Sequence, residues 1–346
     1  MATVYKTFLN NDVASTRTLL HESVPVTGTI VSGTYADTNI KNYSHGLFQS
    51  VYDYPYLSSS ANHIFDITCG YSSTSPLSAS AVTDGVAASD IKDKINMYNQ
   101  MAQVLVGHDV EGNIQEFDQD GDISGGGTKM KEAYVLNFAR LLTKDEIKKG
   151  SFSLKVATGS ANDPVDFADL LTISDYGAEN DYRVNSPAAE YGILYTSSAT
   201  PSSDSGVGLL YYQAGVAVLT ASLFDGALLA DSETYTGSLS ASNIQSNADA
   251  IRARIYDVAY NNTTELNSSV YFCRVNHNEF NYSANPTYLS SSKIVVKDQA
   301  TDAPVSYTTT VGLYSADNEL LAVAKVSEPL KKDPTNELIL RVRLDY

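Results

Sequence analysis

Near the C-terminus, the run Leu338-Ile339-Leu340-Arg341-Val342-Arg343-Leu344-Asp345 puts Leu338, Leu340, Val342 and Leu344 on alternate positions, with Ile339, Arg341, Arg343 and Asp345 between them. A period of two sends successive side chains to opposite faces of a strand, so this run predicts one core face and one largely wet face. Working outward, two apolar stretches flank Ser315-Ala316-Asp317-Asn318. Val311 to Tyr314 and Leu320 to Val326 are therefore expected to close a hairpin, with Leu338 to Tyr346 as its third strand. Phe152, Leu154 and Val156 alternate with Ser151, Ser153 and Lys155 in the same way, and Ile64 to Cys69 is a short apolar run before the Ser-rich turn at Tyr71 to Ser80. Val24 to Tyr35 is β-branched, with Gly28 and Gly33 as turn or bulge points.

Two stretches follow another period. Ile91, Ile95, Tyr98, Ala102 and Leu105 recur at helical spacing behind Ser89 or Asp90 as N-cap, which predicts a helix to about Val106. Asn243 to Val258 carries Ile244, Ala248, Ile251, Ile255 and Val258 on one stripe and predicts a second helix. The first twenty residues are polar without clear periodicity and read as an arm ordered against a neighbour. The stretches 197–208 and 226–246 read as exposed excursions. No internal repeat of fixed period is found, which excludes solenoids and propellers. The expected class is mainly β, with β-sandwich or jelly-roll-like domains, about two helices and a minor α+β content. Pattern shifts divide the chain into an arm and β segment over 1–85, a central mixed β domain over 86–265 with helices near 89–106 and 243–258, and a C-terminal sandwich-like block over 266–346.

Composition agrees with strands and turns. Charged residues are 18% of the 346, against a usual share of about 25%. Ser, Thr, Asn and 24 Tyr take their place, and Trp is absent. The formal charge is −17, and the stretch from Val156 to Ala250 holds twelve Asp and Glu with Arg183 as its one base. Phosphate backbones are bound by clustered Lys and Arg, so nucleic acid is not an expected partner. The start Met1-Ala2-Thr3-Val4-Tyr5-Lys6 lacks a basic region followed by an apolar core, so no secretory signal is expected. No eighteen apolar residues run together, so a membrane-spanning helix is not expected either.

Candidate chemistry is sparse. Asp118-Gln119-Asp120-Gly121-Asp122 spaces three carboxylates at every second position, a pattern that can bring Asp118, Asp120 and Asp122 onto a calcium ion. An EF-hand loop would need Gly where Ile123 stands and Glu where Lys129 stands, so a solvated acidic turn beside Gly125, Gly126 and Gly127 is the other reading. His21, His45, His63, His108 and His277 lie without zinc spacing, and Cys69 and Cys273 read as free thiols within apolar runs. His277 with Glu279, and His108 with Asp109, are the polar pairs of note, and plain hydrogen bonds are the expected role of each. No phosphate loop, dinucleotide fingerprint or nucleophile elbow is present, and forty acidic residues carry no information by themselves about sugar hydrolysis. The chain is expected to be neither an enzyme nor a cofactor binder.

Several runs carry a resemblance. The stretch from Val270-Tyr271-Phe272-Cys273-Arg274-Val275-Asn276-His277-Asn278-Glu279-Phe280 to Tyr288 resembles a signature of virion proteins of contractile-tailed bacteriophages, notably those of marine cyanobacteria. The runs Tyr43 to Tyr56, Asn137 to Glu146 and Gly208 to Gly215 are similar to the same group. Val311 to Val323 looks like an element of baseplate and tail-fibre attachment proteins. The resemblance implies a structural subunit of the phage tail, in the virion and assembled in the host cytoplasm. Its implied partners are other virion proteins and further copies of itself in a symmetric ring. Baseplate or wedge is the leading position, neck or collar the alternative, and receptor-binding or fibre attachment a third, the last suggested by the Tyr52 to Tyr56 loop.

Overall fold

The computed structural model describes residues 5–26, 37–80, 88–123, 125–157, 170–196, 206–224, 239–240, 242–282, 289–290, 293–294, 301 and 304–346. In chain order the strands begin with β1 (Val13–Val26), β2 (Ile40–Asn42), β3 (Gln49–Tyr52) and β4 (His63–Tyr71). Helix α1 (Ala88–Leu105) precedes β5 (Phe117–Asp118), β6 (Lys129–Met130), β7 (Glu132–Phe138), β8 (Glu146–Ile147) and β9 (Ser153–Ala157). Then come β10 (Leu170–Ser174), β11 (Arg183–Ser186), β12 (Ala189–Tyr195), β13 (Gly206–Tyr211) and β14 (Val216–Thr220). Helix α2 (Ile244–Arg254) leads into β15 (Ile255–Val275), and the short β16 (Leu289–Ser290) and β17 (Lys293–Ile294) follow. Last are β18 (Ser306–Tyr314), β19 (Leu320–Lys332) and β20 (Leu338–Asp345). The protein is mainly β, as the alternating patterns predict. Among the described residues, no helix is long and apolar enough to cross a membrane.

Two compact units form, residues 20–264 and residues 1–19 with 265–346. The larger unit is built on one antiparallel sheet in the order β15-β9-β10-β12-β13-β14-β7-β4-β3-β2. Its strands bury both faces. On one face lie Phe65, Ile67 and Cys69 of β4, Leu136 and Phe138 of β7, Leu219 of β14 and Leu154 and Val156 of β9, with Ala248 and Ile251 of α2. The sheet rolls over this face: Phe138 of β7 meets Phe152, just before β9, and Tyr260 of β15 with ring centroids 5.9 and 5.3 Å apart, although β7 stands far from the neighbouring β9 and β15 in the sheet order. A single rolled sheet thus supplies the two facing layers that a sandwich needs.

Helix α1 covers the other face. Tyr98, Ala102 and Leu105 pack with Val135 of β7, Val218 of β14, Leu209 and Tyr211 of β13 and Ile193 of β12. Gly70 makes the close approach possible: a Cβ there would stand 2.4 Å from the Lys94 carbonyl oxygen and 2.9 Å from the Tyr98 nitrogen. Lys94 itself is buried and donates through Nζ to the carbonyls of Leu239, at 2.7 Å, and Ser242. Ser89 and Asp90 fall inside α1, so neither is its N-cap, and the residue before Ala88 lies outside the described residues. Asn243 caps α2, its Oδ1 accepting from the Ser246 N–H at 2.8 Å.

Other expectations need correction. The second helix stops at Arg254, not 258, because Ile255, Val258 and the rings of Tyr256 and Tyr260 suit a strand and β9 offers the ladder, with Ile255 opposite Val156 and Val258 opposite Leu154. β1 begins at Val13, within the stretch read as an arm, and lies beside β15. Gly28, Gly33 and the rest of 27–36 lie outside the described residues, as do 197–205 and most of 226–246.

The smaller unit keeps the expected hairpin of β18 and β19, with Leu313 opposite Ala322 and Gly312 opposite Val323. Its turn is held by the Ser315 N–H donating to the Glu319 carbonyl at 2.8 Å, and Asn318 takes a φ of +63° that Asn tolerates. The third strand is not β20. That strand pairs with β15, Val275 facing Leu338, Cys273 facing Leu340 and Tyr271 facing Val342, so its half-buried face meets apolar partners of matching alternation.

Candidate functional surfaces

The acidic loop joins β5 to β6, where Asp118 pairs directly with Lys129. Each carboxylate turns back on its own backbone: Asp118 Oδ1 accepts from the Asp120 N–H at 3.0 Å, Asp120 Oδ1 from Asp122 N–H at 2.9 Å, and Asp122 Oδ1 from Gly125 N–H at 3.1 Å. The spacing of two that suggests convergence instead produces successive Asx turns. A cation is already there, since the Lys129 ammonium binds the Asp118 carboxylate and donates to the Ile123 carbonyl at 3.0 Å. Burial first, and then the neighbouring Asp120 carboxyl, push Asp118 above the ordinary carboxylate range, while the same contact holds Asp120 below it. Gly121 takes a φ of +78°, and its carbonyl accepts from Asn185 Nδ2 and the Tyr191 hydroxyl, each at 3.0 Å, which ties the loop to β11 and β12. Among the described residues no three His, Cys, Asp or Glu side chains are disposed to hold a metal ion.

At the β2-β3-β4 edge, Ser, His and Asp do come together. The Ser50 hydroxyl donates to Asp66 Oδ1 at 2.5 Å, and His63 Nε2 lies 2.8 Å from the same oxygen. A nucleophilic triad needs the imidazole between hydroxyl and carboxylate, so that the ring can take the hydroxyl proton. Here the carboxylate stands in the middle and Ser50 is buried, so the trio fixes the sheet edge. Around it, Tyr43 stacks on His45 at 5.2 Å and meets Phe48 at 4.7 Å, while Tyr52 contacts His63 and Tyr56. Within the Tyr52 to Tyr56 loop, Tyr54 is the most exposed ring.

One buried group has no motif in the sequence. Asp175, which follows β10, accepts from the Gly150 N–H at 2.7 Å, the Phe152 N–H at 3.0 Å and the Tyr212 hydroxyl at 3.0 Å. It pins the turn before β9, where Gly150 has a φ of +74°. Burial pushes its pKa up to about 6, against the pull of those donors. The signal for it was only an Asp-Tyr-Gly turn after an apolar strand, one of many such turns in the chain.

The polar pairs named from sequence separate. His277 lies 3.4 Å from Glu337, whereas Glu279 binds Lys6 and accepts from the Asn276 N–H. Asp109 receives the N–H groups of Glu111 and Asn113, and His108 forms a bridge with Ile114. Cys69 and Cys273 are free, and burial pushes the Cys69 thiol up to about 12, which leaves it unreactive.

The remaining surface of note is the smaller unit. Leu313 and Val342 are its buried hydrophobic side chains among the described residues. Tyr307, Tyr314, Leu320, Leu321, Val323 and Ile339 are exposed on its strands. No family model, curated protein or solved structure matches the chain. Function therefore rests on these surfaces and on the runs quoted above.

Proposed function

We propose that the chain is a structural subunit of a bacteriophage tail, a baseplate or wedge component that joins neighbouring virion proteins in a ring. The observation that carries this is the smaller unit, whose strands are regular and hydrogen-bonded yet leave large apolar side chains uncovered. Exposed apolar strands of this extent are a liability in a free monomer, and a protein interface removes it. Such a contact must cover on the order of 1,000 Å² to hold an assembly together. The phage context is supplied by the sequence resemblance. Three of its runs lie at structural junctions: Tyr43 to Tyr56 covers the turn from β2 to β3, β3 itself and the aromatic loop after it, Asn137 to Glu146 the end of β7 and start of β8, and Gly208 to Gly215 the end of β13 and the turn after it. The fourth covers the end of β15 and the turn beyond it as far as 282.

The test is a density map of the intact particle, together with particles that lack this gene product. Density in the baseplate and loss of the tail tip are expected. Complete tails unattached to heads would move the protein to the neck, and absence from the tail would refute the reading.

A further inference from the structure

The smaller unit, poor in buried apolar side chains, fully buries a lysine, Lys332, at the end of β19. Its Nζ donates to three neutral oxygens: Asn281 Oδ1 at 2.6 Å, the Asp333 carbonyl at 2.8 Å and the His277 carbonyl at 3.1 Å. Lys94, fully buried in the larger unit, faces the main-chain carbonyls of Leu239 and Ser242 instead. A side-chain carboxamide differs from these in one respect, since its nitrogen can leave without breaking the chain. Asn281 is also held through that nitrogen: Nδ2 donates to the His277 carbonyl at 2.9 Å, so the amine and the carboxamide nitrogen gather on one acceptor. With a C=O bond of about 1.23 Å, Lys332 Nζ stands within about 3.8 Å of Asn281 Cγ whatever the angle, against roughly 3–3.5 Å for groups poised to react. The turn that presents Asn281 is itself constrained. Phe280, between Glu279 and Asn281, takes a φ of +54°, which a bulky residue adopts where its surroundings impose it. Its carbonyl accepts from the hydroxyl of Ser306, the residue opposite Lys332 in the hairpin.

The geometry points to a covalent cross-link between these two side chains, an isopeptide bond from Lys332 Nζ to Asn281 Cγ that forms within the folded chain. The Lys332 ammonium gives a proton to the Glu279 carboxylate, and the amine lone pair adds to Cγ while the C=O π pair moves to Oδ1. As that pair returns, the Cγ–Nδ2 bond breaks, and Nδ2 takes one proton from the attacking nitrogen and leaves as ammonia. The proton on Glu279 passes to solvent. The products are a secondary amide and ammonia, and no oxidant or co-reactant is consumed. Glu279 is ionised for this role, because the Lys6 ammonium, then the Asn276 N–H, with a lesser share from the Lys332 charge, hold its carboxyl below the ordinary range. Amide exchange of this kind is slow between free molecules; burial excludes competing water and fixed neighbours supply the effective concentration. The bond ties residues 51 apart in sequence and restricts the unfolded chain as a disulfide would, in a unit whose Cys273 is a free thiol.

The test is mass spectrometry of the intact full chain and of its tryptic peptides. The wild type is expected to be lighter than its sequence by one ammonia and to yield a branched peptide joining residues 275–293 to residues 332–341. Lys332→Arg and Asn281→Ala are expected to carry the full mass of their sequences. In chains sampled from synthesis onward, Glu279→Gln should link at least ~100-fold more slowly than wild type, the loss that follows removal of a general base. A wild type of full sequence mass overturns the inference. So does a missing ammonia without the branched peptide, or one that persists in Lys332→Arg, because an asparagine that closes on its own backbone loses the same mass. Linkage in Glu279→Gln as fast as in wild type overturns the part given to Glu279.

Discussion

Replacing Lys129 by methionine keeps the aliphatic stem that lies along the acidic loop and removes only the ammonium. The Asp118 side chain is fully buried, and that of Lys129 is 23% exposed. Removing one member of a buried pair costs about 3–5 kcal/mol, because the other charge is left in a poor solvent. Partial exposure of the ammonium and the surviving Asp120 N–H donor reduce this, so a loss of about 2 kcal/mol at pH 8 is expected. For a unit of this size that lowers Tm by roughly 4–8 °C. At pH 5 the deficit should shrink, since burial already favours the protonated Asp118 and the lost ammonium favoured the charged form. Removing both charges in Lys129→Met/Asp118→Asn should recover most of the loss, the Asn oxygen still accepting from Asp120. Tyrosine fluorescence followed through urea at pH 5 and pH 8 reads all three chains. The account of the loop is refuted if Lys129→Met is within about 0.5 kcal/mol of wild type at pH 8, or if the double variant is no better than the single one.

Three further outcomes follow from the fold. Gly70→Ala drives a Cβ into the backbone of α1 at Lys94 and Tyr98, where no side chain can swing aside, and should cost about 2–4 kcal/mol in urea unfolding. For Asp175, the folded pKa of about 6 lies above the ordinary carboxylate value, so the native state holds the extra proton between about pH 4 and 6. Its contribution is therefore fully present below about pH 4 and lost as pH rises through 6, by on the order of 3 kcal/mol, and Asp175→Asn should flatten that part of the pH profile relative to wild type. An unchanged slope would disprove it. Asn243→Ala removes the N-cap of α2 and should cost about 1 kcal/mol, which thermal denaturation can resolve.

Local periodicity determined much of this protein. Side chains alternate across a strand and recur every 3.6 residues on a helix whatever lies beyond, so β4, β9, β20, α1, the start of α2 and the β18-β19 hairpin were all readable. The same locality misplaced the end of α2, because Ile255 and Val258 satisfy both periods and only the waiting edge of β9 chose between them. Tertiary structure alone decided which strands are neighbours: β20 alternates as well as a third hairpin strand would, yet it pairs with β15, from Ser268 opposite Asp345 to Val275 opposite Leu338. It also decided that the cation of the acidic loop is Lys129, and that Asp175 reaches Gly150 and Phe152 across 25 and 23 residues of sequence. Alternation in β18, β19 and β20 identified faces fit for burial, yet burial depends on what else arrives to cover a face, and within the described chain little does. A pattern of residues can state what a surface would exclude from water; only the positions of all the other atoms state whether the water is gone.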